Sequence, residues 1–231
     1  MTVTYIDGAD AIGANVAHLP RGLGVVALYV TGDEDVPATP AELAANPGAI
    51  RIAQWPNLNV DEAAHADELD VEAEAAMLEA CVPWAKNADA AYQTAVRPGQ
   101  RPPSIYASQG KMDDITAALA AGGVGPDLCG LHVASWTGSK TAALAVLGTK
   151  INGYLVTGVQ WANAGAYDLD VFLSSWVNAV SRKVAPVEPP GQWLNPAQWT
   201  WSEVTVTGIG LDGDLHSFAY NSRGNTWAKV I

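Results

Sequence analysis

Two pairs of acidic residues stand two apart within runs that otherwise read as strands. They are Asp70 and Glu72 in "ELDVE" (68–72), and Asp168 and Asp170 in "YDLDVF" (167–172). Side chains at i and i+2 of a strand leave the same face, so each pair projects two carboxyls in one direction. Asp7 supplies another at the end of the strand-like run "VTYID" (3–7). Crowded carboxyls raise one another's pKa, so one keeps its proton near neutral pH while a neighbour stays ionised. Glycosidic bond cleavage uses that division of labour: an acid protonates the leaving oxygen, and an ionised partner activates water or stabilises the oxocarbenium-like centre. The assignment depends on Val71 packing on the opposite face, because a helix over "LDVEA" would scatter the two carboxyls.

The elements around these residues predict a barrel that gathers them. Short β-branched or aromatic runs alternate with alanine-rich helical segments: strands at 3–7, 24–32, 49–55, 68–72, 103–108, 130–136, 153–161 and from 167, with helices at 9–19, 39–46, after 72 and at 112–123. Thr39 followed by Pro40 and a glutamate marks one helix start. Such alternation argues for a parallel sheet, and eight strands in about 180 residues suggest a compact, TIM-like β/α barrel with reduced last helices. Functional residues of such barrels collect at the C-terminal strand ends. Tyr29, Trp55, Tyr106, Trp136 and Trp161 fall near those ends and offer flat faces for sugar rings. The remaining acids of this region, Asp61, Glu62, Asp67, Glu68, Glu74 and Glu79, read as solvated.

Beyond a proline-rich linker at 184–191, residues 192–231 alternate apolar and polar positions between glycine turns, the signature of a small antiparallel β module. "GIGLDG" (208–213) matches G-x-G-x-x-G literally, but a strand-like run follows where a dinucleotide site needs a helix. It reads as a hairpin turn.

Composition excludes several function classes. The formal net charge is −12, from 12 basic and 24 acidic residues, without any Lys/Arg cluster, so nucleic acid is an unsuitable partner. No apolar run reaches the length of a membrane span, and "MTVTYIDGAD" lacks the basic and apolar regions of a secretion signal. Cys81 and Cys129 fit neither a disulfide scaffold nor a zinc motif and read as buried thiols. His132, three residues after Cys129, would lie on the opposite strand face, which argues against a Cys/His catalytic pair. No metal or cofactor is expected.

Taken in order, "YIDGAD", "VVALYVTG", "LDVEA", "PSIYAS", "LHVASW" and "VTGVQWANAGAYDLDVF" resemble glycoside hydrolase family 25, the lysozyme-like muramidases, and related glycoside-hydrolase-like barrel domains. The likeness covers about residues 3–180. Its most specific parts are the D-x-E of the fourth strand and the closing Gln-Trp followed by D-L-D-x-F. The resemblance implies Glu72 as general acid with Asp70 beside it. It also implies Asp7 and Asp168 as charge-stabilising or water-orienting carboxylates, Gln160 and Trp161 among the substrate-binding residues, and a structural Asp170. The expected substrate is peptidoglycan, cut at a β-1,4 bond. With no secretion signal, the expected setting is a phage lysin, made in the host cytoplasm and released to the wall or carried in a virion. The alternative is a virion structural or adhesion protein that binds glycans without cutting them and assembles through residues 192–231.

Overall fold

The computed structural model describes residues 3–31, 37–54, 65–71, 75–94 and 99–179, together with the backbone of 204–209, 215–221 and 226–229. The chain forms two compact units, Met1–Ala185 and Pro186–Ile231.

In the first unit eight strands close into a barrel. The order is β1 (Tyr5–Ala11), β2 (Val25–Thr31), β3 (Ile50–Gln54), β4 (Glu68–Asp70), β5 (Ser104–Ser108), β6 (Gly130–Ala134), β8 (Tyr154–Asn163) and β9 (Asp168–Leu173), which returns to β1. The short β7 (Lys150–Ile151) pairs only with β8. Strands β1 to β6 and β8 run parallel, as the alternation predicts. The last strand departs from the all-parallel expectation, because β9 is antiparallel to both neighbours.

The cause is the length of the β8–β9 connection. A parallel return needs a crossover of a dozen residues or more, and only Ala164 to Tyr167 lie between these strands. Gly165 at φ 91° and the bond from Ala164 N to Tyr167 O at 2.9 Å complete a tight turn. This reversal places Asp168, the first residue of β9, beside the C-terminal ends of the other strands. A parallel β9 would have put it at the opposite end of the barrel.

Helices cover the barrel unevenly: α1 (Pro40–Ala45), α2 (Ala75–Gln93, containing Pro83), α3 (Met112–Ala121), α4 (Lys140–Val146) and α5 (Ser174–Val177). The start signal at Thr39 is a full capping box, with Glu42 Oε2 accepting from the Thr39 amide at 2.7 Å. Strands dominate the layer arrangement, and α1 buries no residue. Helix α4 was not predicted, although Ser139, which caps the Ala142 amide, carries its signal. The opposite error occurs at the N-terminus. The predicted helix at 9–19 is instead the second half of β1 followed by a 3-10 helix over Gly13–His18. Alanine's helix preference yields there to the ladder that β2 and β9 offer on both sides of β1.

Small residues let the barrel fill. The Phe172 ring lies between Gly8 and Gly158, where added Cβ atoms would stand 2.7 and 2.8 Å from it, and it stacks on Trp176 with ring centres 5.9 Å apart. Leu69 of β4, Ile105 of β5, and Leu131 and Val133 of β6 bury their side chains with Ile115 and Leu119 of α3 and Trp84 of α2 in one continuous cluster. Complete burial of each aliphatic side chain contributes about 1.5–3 kcal/mol.

Arg101 clamps the barrel base, the end opposite the C-terminal strand ends. Its guanidinium reaches Asp67 Oδ2 at 3.3 Å and donates to the carbonyls of Gly48 at 2.8 Å and Val177 at 3.1 Å. The Asp67 carboxylate also accepts from the amides of Arg51 at 3.0 Å and Arg101 at 2.7 Å. Asp67 is therefore a fully buried anchor, which corrects its assignment to solvent.

The second unit contains β10 (Val204–Ile209), β11 (Leu215–Asn221) and β12 (Thr226–Lys229) in one antiparallel sheet, as its alternation predicts. Ile209 pairs with Leu215, so the glycine motif borders a hairpin, not a strand–helix turn. Among the described residues, no helix is long and apolar enough to cross a membrane.

A packing test follows from the glycine seat of Phe172. Gly8→Ala should lower stability by about 1–3 kcal/mol through overpacking. The double variant Gly8→Ala/Phe172→Leu should recover part of the loss relative to additivity, measured as a denaturant double-mutant cycle. Simple additivity would show that the two positions do not compete for space.

Candidate functional site

Contacts between non-adjacent strands must cross the lumen, and they define the site. At the C-terminal mouth, Tyr29 of β2 donates to Asp70 Oδ2 of β4 at 3.0 Å. Tyr106 of β5 donates to Gln160 Oε1 of β8 at 2.6 Å. The Gln160 amide nitrogen reaches Asp10 Oδ1 of β1 at 3.4 Å and Asp168 Oδ2 of β9 at 3.2 Å. Asp10 and Asp168 are direct partners in the β1–β9 ladder, as are Gln54 and Asp70 in the β3–β4 ladder. A cleft of about 260 Å³ opens over this group, lined by Asp10, Tyr29, Tyr106, Trp136, Tyr167 and Asp168 among others.

One layer deeper, His132 of β6 bridges Glu68 of β4 and Asp170 of β9. Its Nδ1 is 3.1 Å from Glu68 Oε2, and its Nε2 is 3.3 Å from Asp170 Oδ1. All three are essentially unexposed. Edge contacts from Tyr106 and Phe172, each with ring centres 5.0 Å away, fix the imidazole plane. Burial opposes a charge on His132, but the adjacent Glu68 and Asp170 carboxylates outweigh it and raise its pKa to about 10. The ring is therefore an imidazolium at neutral pH. Burial raises the Glu68 pKa, with His132 acting against it. Asp10 is pushed well above the ordinary carboxylate range, first by burial and then by Asp170 and Asp168.

The residues expected at the site separate into distinct places. Asp70, Asp168, Tyr29, Tyr106 and Gln160 converge at the mouth. Trp136 stands on the rim, 49% exposed, with its backbone at φ 48°, a conformation that non-glycine residues seldom adopt. Trp161, one residue past the inward Gln160, lies on the other face of β8 and packs half-buried against the core, away from the cleft. Glu72 and Trp55 lie outside the described residues.

Asp7 does not join the group. It is 52% exposed and pairs with Lys140 Nζ at 2.5 Å. The first strand extends to Ala11, so Asp7 lies near its start and Asp10 near its mouth end. Two assignments in the deeper layer also change. Glu68, read as solvated, is an internal ion-pair partner, and His132, weighed only against Cys129, belongs to a different pair. Cys129 instead lies near Cys81 and Asp89 of α2. Burial pushes both thiols up, Cys81 to about 12, so neither supplies a thiolate nucleophile near neutral pH. A signal for the deeper layer was present in the period-2 placement of Glu68 and Asp70 on one strand, and of Asp168 and Asp170 on another.

Chemically, the mouth offers carboxyl, phenol and carboxamide groups beside an open cleft. No group of three or more His, Cys, Asp or Glu residues able to hold a metal occurs among the described residues.

The imidazolium has a measurable signature. His132 binds its proton more tightly in the folded chain than the ordinary pKa of about 6.5 allows. Its contribution is therefore complete below that pH and disappears as pH rises toward about 10. The raised Glu68 and Asp10 act with the same sign from lower pH upward. Thermal melts should show Tm falling across pH 6.5–10. His132→Gln should flatten that limb and, by leaving two buried carboxyls without their cation, cost about 3–5 kcal/mol. An unchanged alkaline slope in a folded His132→Gln chain would contradict the imidazolium. No family model, curated protein or solved structure matches this chain.

Proposed function

We propose that the barrel mouth is a glycan site that cleaves a β-1,4 glycosidic bond by carboxylate acid–base catalysis, with cell-wall peptidoglycan as the substrate. The barrel then reads as a TIM-like β/α barrel whose larger helices, among the described residues, follow β4, β5 and β6. The observation that carries the proposal is the facing pair of acids, Asp10 and Asp168, that lines the cleft. Asp10 is held toward its protonated form beside Asp168, while Asp70 accepts a hydrogen bond from Tyr29. Exposed Trp136 on the rim supplies a face on which a pyranose ring can stack. In this reading Glu72, two residues beyond Asp70, is the general acid, and Asp10 takes the first-strand role that the sequence resemblance gave to Asp7. A lysin released to the wall, or carried in a virion, fits such a substrate.

A second reading is favoured by the depth of the acids. Asp10 and Asp70 are only 5% and 1% exposed. A barrel whose carboxyls are so enclosed can bind glycan at its rim without cutting it, as a virion adhesion or structural protein would, with residues 192–231 mediating assembly.

Release of reducing ends from purified peptidoglycan separates the readings. For a hydrolase, Glu72→Gln and Asp70→Asn should each lower the rate by about 10²-fold or more, with the fold intact and Asp7→Asn near the native rate. For a binding protein, several cell walls should yield no reducing ends, soluble wall fragments should bind, and Trp136→Ala should lose that binding. Deletion of 192–231 should then convert an oligomer to a monomer. No release combined with no binding would defeat both.

A further inference from the structure

The Gln160 carboxamide is fully buried, and both of its ends are committed. Asp10 and Asp168 lie at one end, and two carboxyl groups require a donor there, which fixes the amide nitrogen on their side. The oxygen consequently faces Tyr106, whose hydroxyl donates to it at 2.6 Å. Backbone geometry supports this placement independently. The β8 ladder with β9 shifts register between Gln160 and Ala162, a local irregularity of the kind that re-aims a side chain. The Gln160 carbonyl also accepts from the Ser135 amide at 2.9 Å, tying β8 to the segment that carries Trp136.

Asp10 and Asp168 face each other across the antiparallel β1–β9 pair, where opposite Cβ atoms are about 4.5–5.5 Å apart. Two ionised carboxylates at that separation repel strongly away from water. One proton shared by the pair, with the Gln160 amide donating to both, relieves the repulsion.

We propose that Gln160 is a positioning residue, not a substrate ligand: its amide clips Asp10 and Asp168 into a pair that shares one proton, and Tyr106 locks the amide in that sense. Other groups act on the same pair. Asp170 of β9 and His132 of β6 lie beneath it, with Glu68 of β4 beyond His132. Tyr29 of β2 and Tyr106 of β5 line the cleft beside it, and Asp70 of β4 is tied to Tyr29. The His132 imidazolium opposes the effect of Asp170 on Asp10, so the mouth acids respond to the deeper layer as well as to each other. As a statement about catalysis this rests on the glycan-cleaving reading; as a statement about protons it stands without it.

The test is a pH titration of the full chain labelled with ¹³C at aspartate carboxyls and followed by NMR, without ligand. Asp10→Asn and Asp168→Asn assign the signals. The native pair should titrate in two separated steps, one above and one below the ordinary value near 3.9, and Asp168→Asn should bring Asp10 downward. Gln160→Met removes the donor to the charged form, so the upper step should rise by about one pH unit. Tyr106→Phe should move it the same way by less. If Gln160→Met does not fold, Tyr106→Phe decides. Single steps near the ordinary value for both acids, or an upper step unmoved in a folded variant, would overturn the clip. Absence of glycan hydrolysis would leave these titrations untouched, and an unmoved titration would defeat the clip even in an active hydrolase.

Discussion

A positive charge sealed inside the barrel is the constraint on which the other features depend. His132 meets acids from β4 and β9, so one ring ties together three strands that are not neighbours. An imidazolium without counter-charges would be expelled or neutralised in such surroundings, and two carboxylates without the imidazolium would fare no better. The three must therefore be buried as a set. Space for the ring comes from Gly158, where a Cβ would lie 2.9 Å from His132 Cδ2. Tyr106 and Phe172 then meet its edges. The layer lies between a base, where Phe172 packs and Arg101 pairs with Asp67, and a polar mouth of acids, tyrosines and a glutamine.

That separation explains why the mouth can be crowded with carboxyls. The cation beneath it offsets part of the negative potential at Asp10, while hydrogen bonds from Tyr29 and Gln160 hold Asp70 and Asp168 in fixed orientations. Gln160 serves Asp10 and Asp168 together, whereas Tyr29 serves Asp70. The mouth thus contains a facing acid pair and a tyrosine-bound acid on rigid strand backbones, a better basis for acid–base chemistry than acids on loops.

Much of the strand framework could be read directly, because β2, β3, β5, β6 and β8 are apolar runs bounded by turn residues. The site was legible to the extent that period 2 applied: Asp70 and Asp168 reach the mouth as their spacing suggests. What could not be read depends on partners distant in sequence. The end of β1 is set by pairing with β2 and β9, so Asp7 and Asp10 exchange roles without any local signal. Glu68 sits in an acidic run indistinguishable from a solvated one until His132, 64 residues later, is placed against it. The direction of β9 was accessible in principle, since Ala164 to Tyr167 cannot form a crossover, but the regular alternation upstream favours a parallel strand.

The β1–β9 seam has a consequence for biosynthesis. Tyr5 pairs with Leu173, so once synthesised the first strand of the barrel waits for almost all the others before one of its edges is covered. At about 5–20 residues per second, that interval lasts on the order of ten seconds or more. Throughout it, a run of small residues with an open hydrogen-bonding edge is available to any passing strand. The nascent chain is thus most exposed to mispairing at the strand that supplies Asp10, and rapid hairpin formation by β8 and β9 would shorten the final step to closure.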